Sequence, residues 1–79
     1  MEVGLLWLDN DSRRGVEDKV KRAASHYQKK YGCMPNLCFV HPSMLGGNGK
    51  PKPLHVDKVE VRSVRSMLPD HFWLGVEDE

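Results

Sequence analysis

Residues 16–31 read VEDKVKRAASHYQKKY, and the spacing of their apolar side chains decides the fold. The apolar residues recur three or four positions apart, which places them on one face of an α-helix. They are Val16, Val20, Ala23, Ala24, Tyr27 and Tyr31. Acidic residues open the segment and lysines close it, as the helix dipole favours, and Gly32 provides a left-handed stop. The pattern predicts an amphipathic helix from about Gly15 to Tyr31.

Short apolar runs on both sides of this helix have the length and composition of β-strands. The first is Val3–Leu8, which ends at the turn-forming residues 9–12. The second is Leu37–Val40, which ends at His41-Pro42. Short connections between a strand, a helix and a strand favour a parallel pair with a right-handed crossover. We therefore expect these two strands to form a parallel pair.

The rest of the chain predicts two further strands. One lies within His55–Met67, where the alternation of valines changes phase and a β-bulge near Arg62-Ser63 would account for the change. The other is His71–Val76, and the Pro69-Asp70 turn before it favours an antiparallel pair at the end of the chain. Between the second and third strands, residues 43–54 contain three glycines and two prolines and are predicted to form a mobile surface loop.

The predicted fold is one small α+β domain over residues 1–79, with the order β-α-β-β-β. One amphipathic helix packs on one face of a small mixed four-stranded sheet. The first and last strands are apolar on both sides, whereas a single helix can cover only one face. The second face therefore requires the long loop or another subunit, and our hypothesis is a homodimer through that face.

Composition excludes several classes of protein. Hydrophobic residues make up 39% and charged residues 29% of the chain, a balance that indicates a globular protein. The run Val3–Leu8 is too short for a membrane span, and Glu2 stands where a secretory signal would carry a basic residue. We therefore expect a cytoplasmic protein with no membrane partner. The two cysteines are too few for a disulfide framework.

The net charge of +1 carries little information, but the distribution of charge is uneven. Seven basic and two acidic residues lie between Arg13 and Lys30. With the apolar side of the helix on the sheet, cations project from its flank, and two more lie on the loop, so that together they could neutralise nucleic-acid phosphates. The residues predicted to bind nucleic acid are Lys19, Arg22, Lys29, Lys30, Lys50 and Lys52. A solvated helix face is the simpler interpretation.

Asp9 and Asp11 follow the first strand, where open α/β sheets often place a site, and their spacing could bind a divalent cation. A metal-dependent hydrolase or nuclease is therefore an alternative function. Turn formation and a favourable charge at the helix N-terminus explain both residues more simply.

Other chemical motifs are incomplete. Cys33, Cys38 and His41 have the spacing C-x4-C-x2-H, which is looser than structural zinc sites use, so a buried thiol and a loop thiol are the preferred interpretation. No orienting group joins these cysteines to His41 for nucleophilic catalysis. The glycine-rich residues 46–50 lack the hydroxyl and helix of a phosphate-binding loop. The sequence thus predicts a non-enzymatic binding module with no catalytic residue, metal or cofactor. Nucleic acid is its favoured ligand, and a protein partner that covers the second sheet face is the alternative.

Overall fold

The computed structural model describes residues 4–46 and 54–77. Its elements are β1 (Gly4–Leu8), α1 (Val16–Tyr31), β2 (Leu37–Val40), a 3-10 turn (Pro42–Met44), β3 (Leu54–Val56), β4 (Val59–Ser63) and β5 (His71–Gly75). The predicted α+β class with one α-helix on a mixed sheet is confirmed. The sheet has five strands rather than the four predicted.

Helix α1 forms where the apolar spacing predicts it. Gly15 is its N-cap, and Gly32 ends it in the left-handed conformation with φ 79°, donating its N–H to the carbonyl of Gln28. The side facing the sheet is buried through Val20, Ala23, Ala24 and Tyr27. At 16 residues, α1 lacks the length and the apolar composition that crossing a lipid bilayer requires, and no other helix in the described ranges has them.

The strand order is β1-β5-β2-β4-β3, and it corrects the predicted pairing of the first two strands. β1 and β2 run in the same direction, but β5 lies between them and is antiparallel to both. The antiparallel pair predicted around the Pro69-Asp70 turn is also wrong. β4 pairs in parallel with β2, and β2 lies between β4 and β5. β5 takes the interior place because Phe72 and Leu74, both fully buried, need strands on both sides and α1 above them. This arrangement leaves β1 at an edge of the sheet.

The single strand predicted within His55–Met67 is wrong. β3 and β4 form a hairpin in which Val56 lies opposite Val59, and Asp57 adopts φ 54° in the two-residue turn. Pairing of β2 with β4 continues without interruption through Ser63, so the predicted bulge near Arg62-Ser63 is absent. The valines changed phase because the strand ends at Ser63.

The predicted loop over residues 43–54 is also more structured at its ends than expected. Ser43 and Met44 belong to the 3-10 turn, which His41 caps by accepting the N–H of Ser43, and Leu54 begins β3. Residues 47–53 lie outside the described residues. Val3, predicted in the first strand, also lies outside them.

The core lies between α1 and one face of the sheet. Alternation along the strands sends one set of side chains toward the helix, where they are buried. This set includes Cys38, Val40, Val56, Val59, Val61, Phe72 and Leu74. Leu5 and Trp7 of β1 extend it toward the edge and are partly buried. The opposite side of the sheet is not covered by any helix of the described residues.

Candidate interaction surfaces

The open face, as we call the sheet side opposite α1, carries an apolar half. Its members are Leu6 and Leu8 of β1, Trp73 of β5 and Phe39 of β2. Leu6 is 60% exposed and Leu8 58% exposed. Trp73 lies directly opposite Leu6 and Phe39 in the strand register, and its ring centroid is 6.0 Å from that of Phe39. These four side chains therefore form a continuous apolar surface across three strands.

Gly4 explains how Trp73 lies flat on this surface. A Cβ built on Gly4 would overlap the Cζ2 and Cε2 atoms of the Trp73 indole. Only glycine at this position lets the ring rest on the backbone of β1. The sequence contains no signal that pairs these two residues, because they are brought together only by the register of β1 and β5.

The other half of the open face is polar. Arg62 of β4 forms ion pairs with Glu60 on its own strand and with Glu77 beyond β5. The hydrogen bond from Arg62 lowers the pKa of Glu60 below its ordinary value. Since two carboxylates already bind the Arg62 guanidinium, Arg62 offers no free positive charge to a phosphate group.

The basic flank of α1 consists of Lys19, Arg22, His26, Lys29 and Lys30. Arg22, Lys29 and Lys30 are exposed, as the sequence predicts. Lys19 is only 6% exposed, which corrects its predicted projection into water. Lys50 and Lys52 lie outside the described residues.

No member of the basic flank is ion-paired among the described residues. The salt bridges within 4.0 Å there involve Arg13, Arg14 and Arg62. The Lys30 ammonium lies 5.4 Å from the centroid of the Tyr31 ring. The flank thus carries positive charge that no described carboxylate pairs within 4.0 Å.

The basic flank is on the side of α1 that contacts β1, the edge strand. The His26 ring stacks on Trp7 of β1 with a centroid separation of 4.3 Å, and the Tyr31 hydroxyl donates to the Gly4 carbonyl at 3.1 Å. The indole N–H of Trp7 is buried and has no acceptor among the described residues. Sequence reasoning missed this neighbourhood because it did not place β1 at an edge.

Asp9 and Asp11 form a local turn network. The Asp9 carboxylate accepts the N–H of Asp11, and the Asp11 carboxylate accepts the backbone N–H and the guanidinium of Arg13. The hydrogen bonds from Arg13 lower the pKa of Asp11, and the charge of Arg14 adds to the effect. Within the described ranges, no group of three or more His, Cys, Asp or Glu side chains could hold a metal ion.

The structure separates the residues of the C-x4-C-x2-H pattern. Cys38 is buried under α1, Cys33 is exposed in the loop after the helix, and His41 caps the 3-10 turn through Ser43. The Nδ1 atom of His41 lies 2.7 Å from the Ser43 Oγ. These contacts are local, and neither thiol belongs to them.

We expect the two thiols to react with a disulfide reagent at very different rates near neutral pH. Burial raises the pKa of Cys38 to about 12, so the unreactive protonated form dominates in the folded chain, whereas Cys33 is accessible. The thiol of the unfolded chain ionises at lower pH than the buried thiol of the folded chain. The free energy of unfolding should therefore fall as pH rises from about 9 toward 12.

Labelling of the native chain should modify one thiol quickly and the second only after denaturant is added. The Cys33→Ser variant should lose the fast phase. Equal rates for both thiols in the native state would contradict the buried position of Cys38.

Comparison with known proteins gives no further guide: no family model, no curated protein and no solved structure matches this chain significantly.

Proposed function

We propose that this chain is a protein-association module that forms a homodimer through the apolar half of its open face. The observation that supports this proposal is the exposure of Leu6 and Leu8 beside Phe39 and Trp73. Burying apolar surface contributes roughly 25 cal/mol per Å². Monomeric proteins rarely leave large continuous apolar surfaces in water, and such surfaces often mark interaction sites.

A second copy of the chain fits this face because the apolar half is complementary to itself. A two-fold interface uses the same surface on both subunits, so residues that avoid water on one copy are covered by the same residues on the other. In the neighbouring polar half, two carboxylates already bind Arg62. This half therefore does not favour a partner surface that is purely acidic or purely basic. Two sheets can pack in this way face to face.

The test is the effect of Leu8→Lys on self-association. Each copy loses a buried leucine, about 1.5–3 kcal/mol, and a two-fold interface contains the change twice, so the dimer dissociation constant should rise roughly 100-fold to 10,000-fold. Sedimentation equilibrium over a range of concentrations measures it. Met34→Lys is the matched control, because Met34 is 47% exposed but lies outside the strands, in the loop after α1. A wild-type chain that stays monomeric at high concentration would contradict the proposal.

Nucleic-acid binding by the basic flank is a second candidate. It is supported by the exposure of Arg22, Lys29 and Lys30 without carboxylate partners among the described residues. Phosphate contacts release counterions, so affinity for a fluorescent oligonucleotide should fall steeply between about 50 and 200 mM salt. Absence of binding at the lower salt concentration would exclude this candidate.

A further inference from the structure

We infer that the outer edge of β1, which pairs with no strand of the described residues, binds an extended acidic segment of another protein as an added β-strand, together with the basic flank of α1. This surface adjoins the face proposed for dimerisation but differs from it, since it uses the outward backbone groups of β1 and one side of the helix. Addition of a strand to an open sheet edge is a recurrent mode of peptide recognition.

The hydrogen-bonding groups of β1 show which residues are free at the edge. The N–H of Asp9 donates to the carbonyl of Asp70 at 3.0 Å, which fixes the alternation along the antiparallel pair. Odd-numbered residues of β1 therefore bond to β5, and the N–H and C=O groups of Leu6 and Leu8 point away from the sheet. No hydrogen bond between described residues reaches these outward groups.

One end of the same edge is already closed by the chain itself. The outward carbonyl of Gly4 accepts the Tyr31 hydroxyl at 3.1 Å. The accessible part of the edge is therefore short, and it is centred on Leu6 and Leu8. An incoming strand can make four backbone hydrogen bonds there, two to each residue.

The basic flank is on the side of α1 that reaches this edge. The residues of the basic flank recur three or four positions apart, so they share one side of the helix with His26. His26 stacks on Trp7 of β1, which places that side over the edge strand. Within the described residues, no carboxylate lies within 4.0 Å of the flank.

The outward backbone groups of β1 and the basic flank of α1 together define the chemistry of the partner. Side chains of an added strand alternate between the two sides of the sheet. On the helix side they meet the basic flank, which favours Asp or Glu. On the open side they continue the row of Leu6 and Leu8, which favours apolar residues. The partner segment therefore alternates acidic and apolar residues.

A second copy of this chain is a poor occupant of the edge. Two-fold pairing of β1 with β1 would set the helices on the same side of the sheet and bring the two basic flanks together. Like charges placed opposite each other are destabilising. An acidic strand removes this repulsion and supplies the missing counter-charges.

The experiment is a fluorescence anisotropy titration with a labelled peptide of alternating valine and glutamate. We expect this peptide to bind at about 50 mM salt, where screening is weak, and its valine-lysine counterpart to fail. The R22E/K29E variant should bind the acidic peptide at least about tenfold more weakly, a loss of about 1.4 kcal/mol. The K21E/R65E variant has the same change in net charge outside the basic flank and should bind as wild type. Circular dichroism verifies that both variants remain folded.

N-methylated peptides test whether the ligand binds as a strand. Methylation removes the backbone donor and keeps the charge. In an antiparallel addition, the valine N–H groups face β1, so methylating the valines should abolish binding while methylating the glutamates should not; in a parallel addition the roles are exchanged. Equal binding of both methylated peptides would overturn the inference, because charge alone would then explain it.

Two other outcomes also overturn the inference. The first is no binding of the unmodified acidic peptide. The second is tight binding of a labelled oligonucleotide under the same conditions with no binding of the peptide, which would assign the basic flank to nucleic acid. Sedimentation of the same samples reports the dimer independently, so failure of peptide binding and failure of dimerisation are distinguished.

Discussion

Replacing Phe72 by alanine is expected to lower the free energy of unfolding by about 3–5 kcal/mol. The Phe72 side chain is fully buried and faces α1 from β5, the strand that joins β1 to the rest of the sheet. The substitution removes its apolar contacts and leaves a cavity that the helix and the neighbouring strands can fill only in part. Since single domains have about 5–15 kcal/mol of stability, the variant would lose a large share of it.

Urea denaturation followed by circular dichroism measures this loss, and Phe39→Ala is the matched control. Phe39 lies on the next strand but faces the open side, where it is only partly buried against Trp73. The same chemical change there should cost at most about 1–2 kcal/mol. Equal losses in the two variants would show that Phe39 contributes as much to stability as the buried Phe72.

The helix could be predicted closely from the sequence because its determinants are local. Apolar spacing, charged ends and Gly32 all lie within residues 16–32, and each one acts over a single turn or two. The ends of β2 were predicted for the same reason, since turn-forming residues flank a short β-favouring run. Such signals do not depend on which strand becomes the neighbour.

Strand order could not be predicted, because it depends on contacts between distant parts of the chain. A rule for consecutive strands placed β2 beside β1, yet β5 needs an interior position to bury Phe72 and Leu74. The hairpin at Asp57 was missed for a different reason. Its turn has no glycine, and the left-handed conformation of an aspartate is not recognisable from composition alone.

The features of the candidate surfaces that depend on local spacing were predicted, and those that depend on strand order were not. Apolar residues on both sides of the first strand predicted an uncovered sheet face, and Leu6 and Leu8 are exposed there. Helical spacing predicted the exposure of Arg22 and Lys29. The burial of Lys19 and the contact of His26 with an edge strand were not predicted, because both depend on tertiary packing that helical spacing alone does not determine.

Gly4→Ala should destabilise the chain by about 1–3 kcal/mol, although it is the smallest change a glycine can undergo. The added methyl group would occupy the space of the Trp73 indole, so the ring must leave the surface of β1. β1 is an edge strand whose only sheet partner among the described residues is β5, and displacement of Trp73 weakens the side-chain packing that joins the two strands.

A double-mutant cycle with Trp73→Ala isolates this contact. In the Trp73→Ala background the new methyl group meets no ring, so Gly4→Ala should then cost much less, and the coupling free energy should account for most of the original loss. Gly15→Ala is the control: φ at Gly15 is −79°, no atom lies within 4 Å of the added Cβ, and the change should stay within about 1 kcal/mol. Strictly additive effects of Gly4→Ala and Trp73→Ala would show that the indole does not rest on β1. The apolar half of the open face would then lack the flat surface on which the proposed dimer depends.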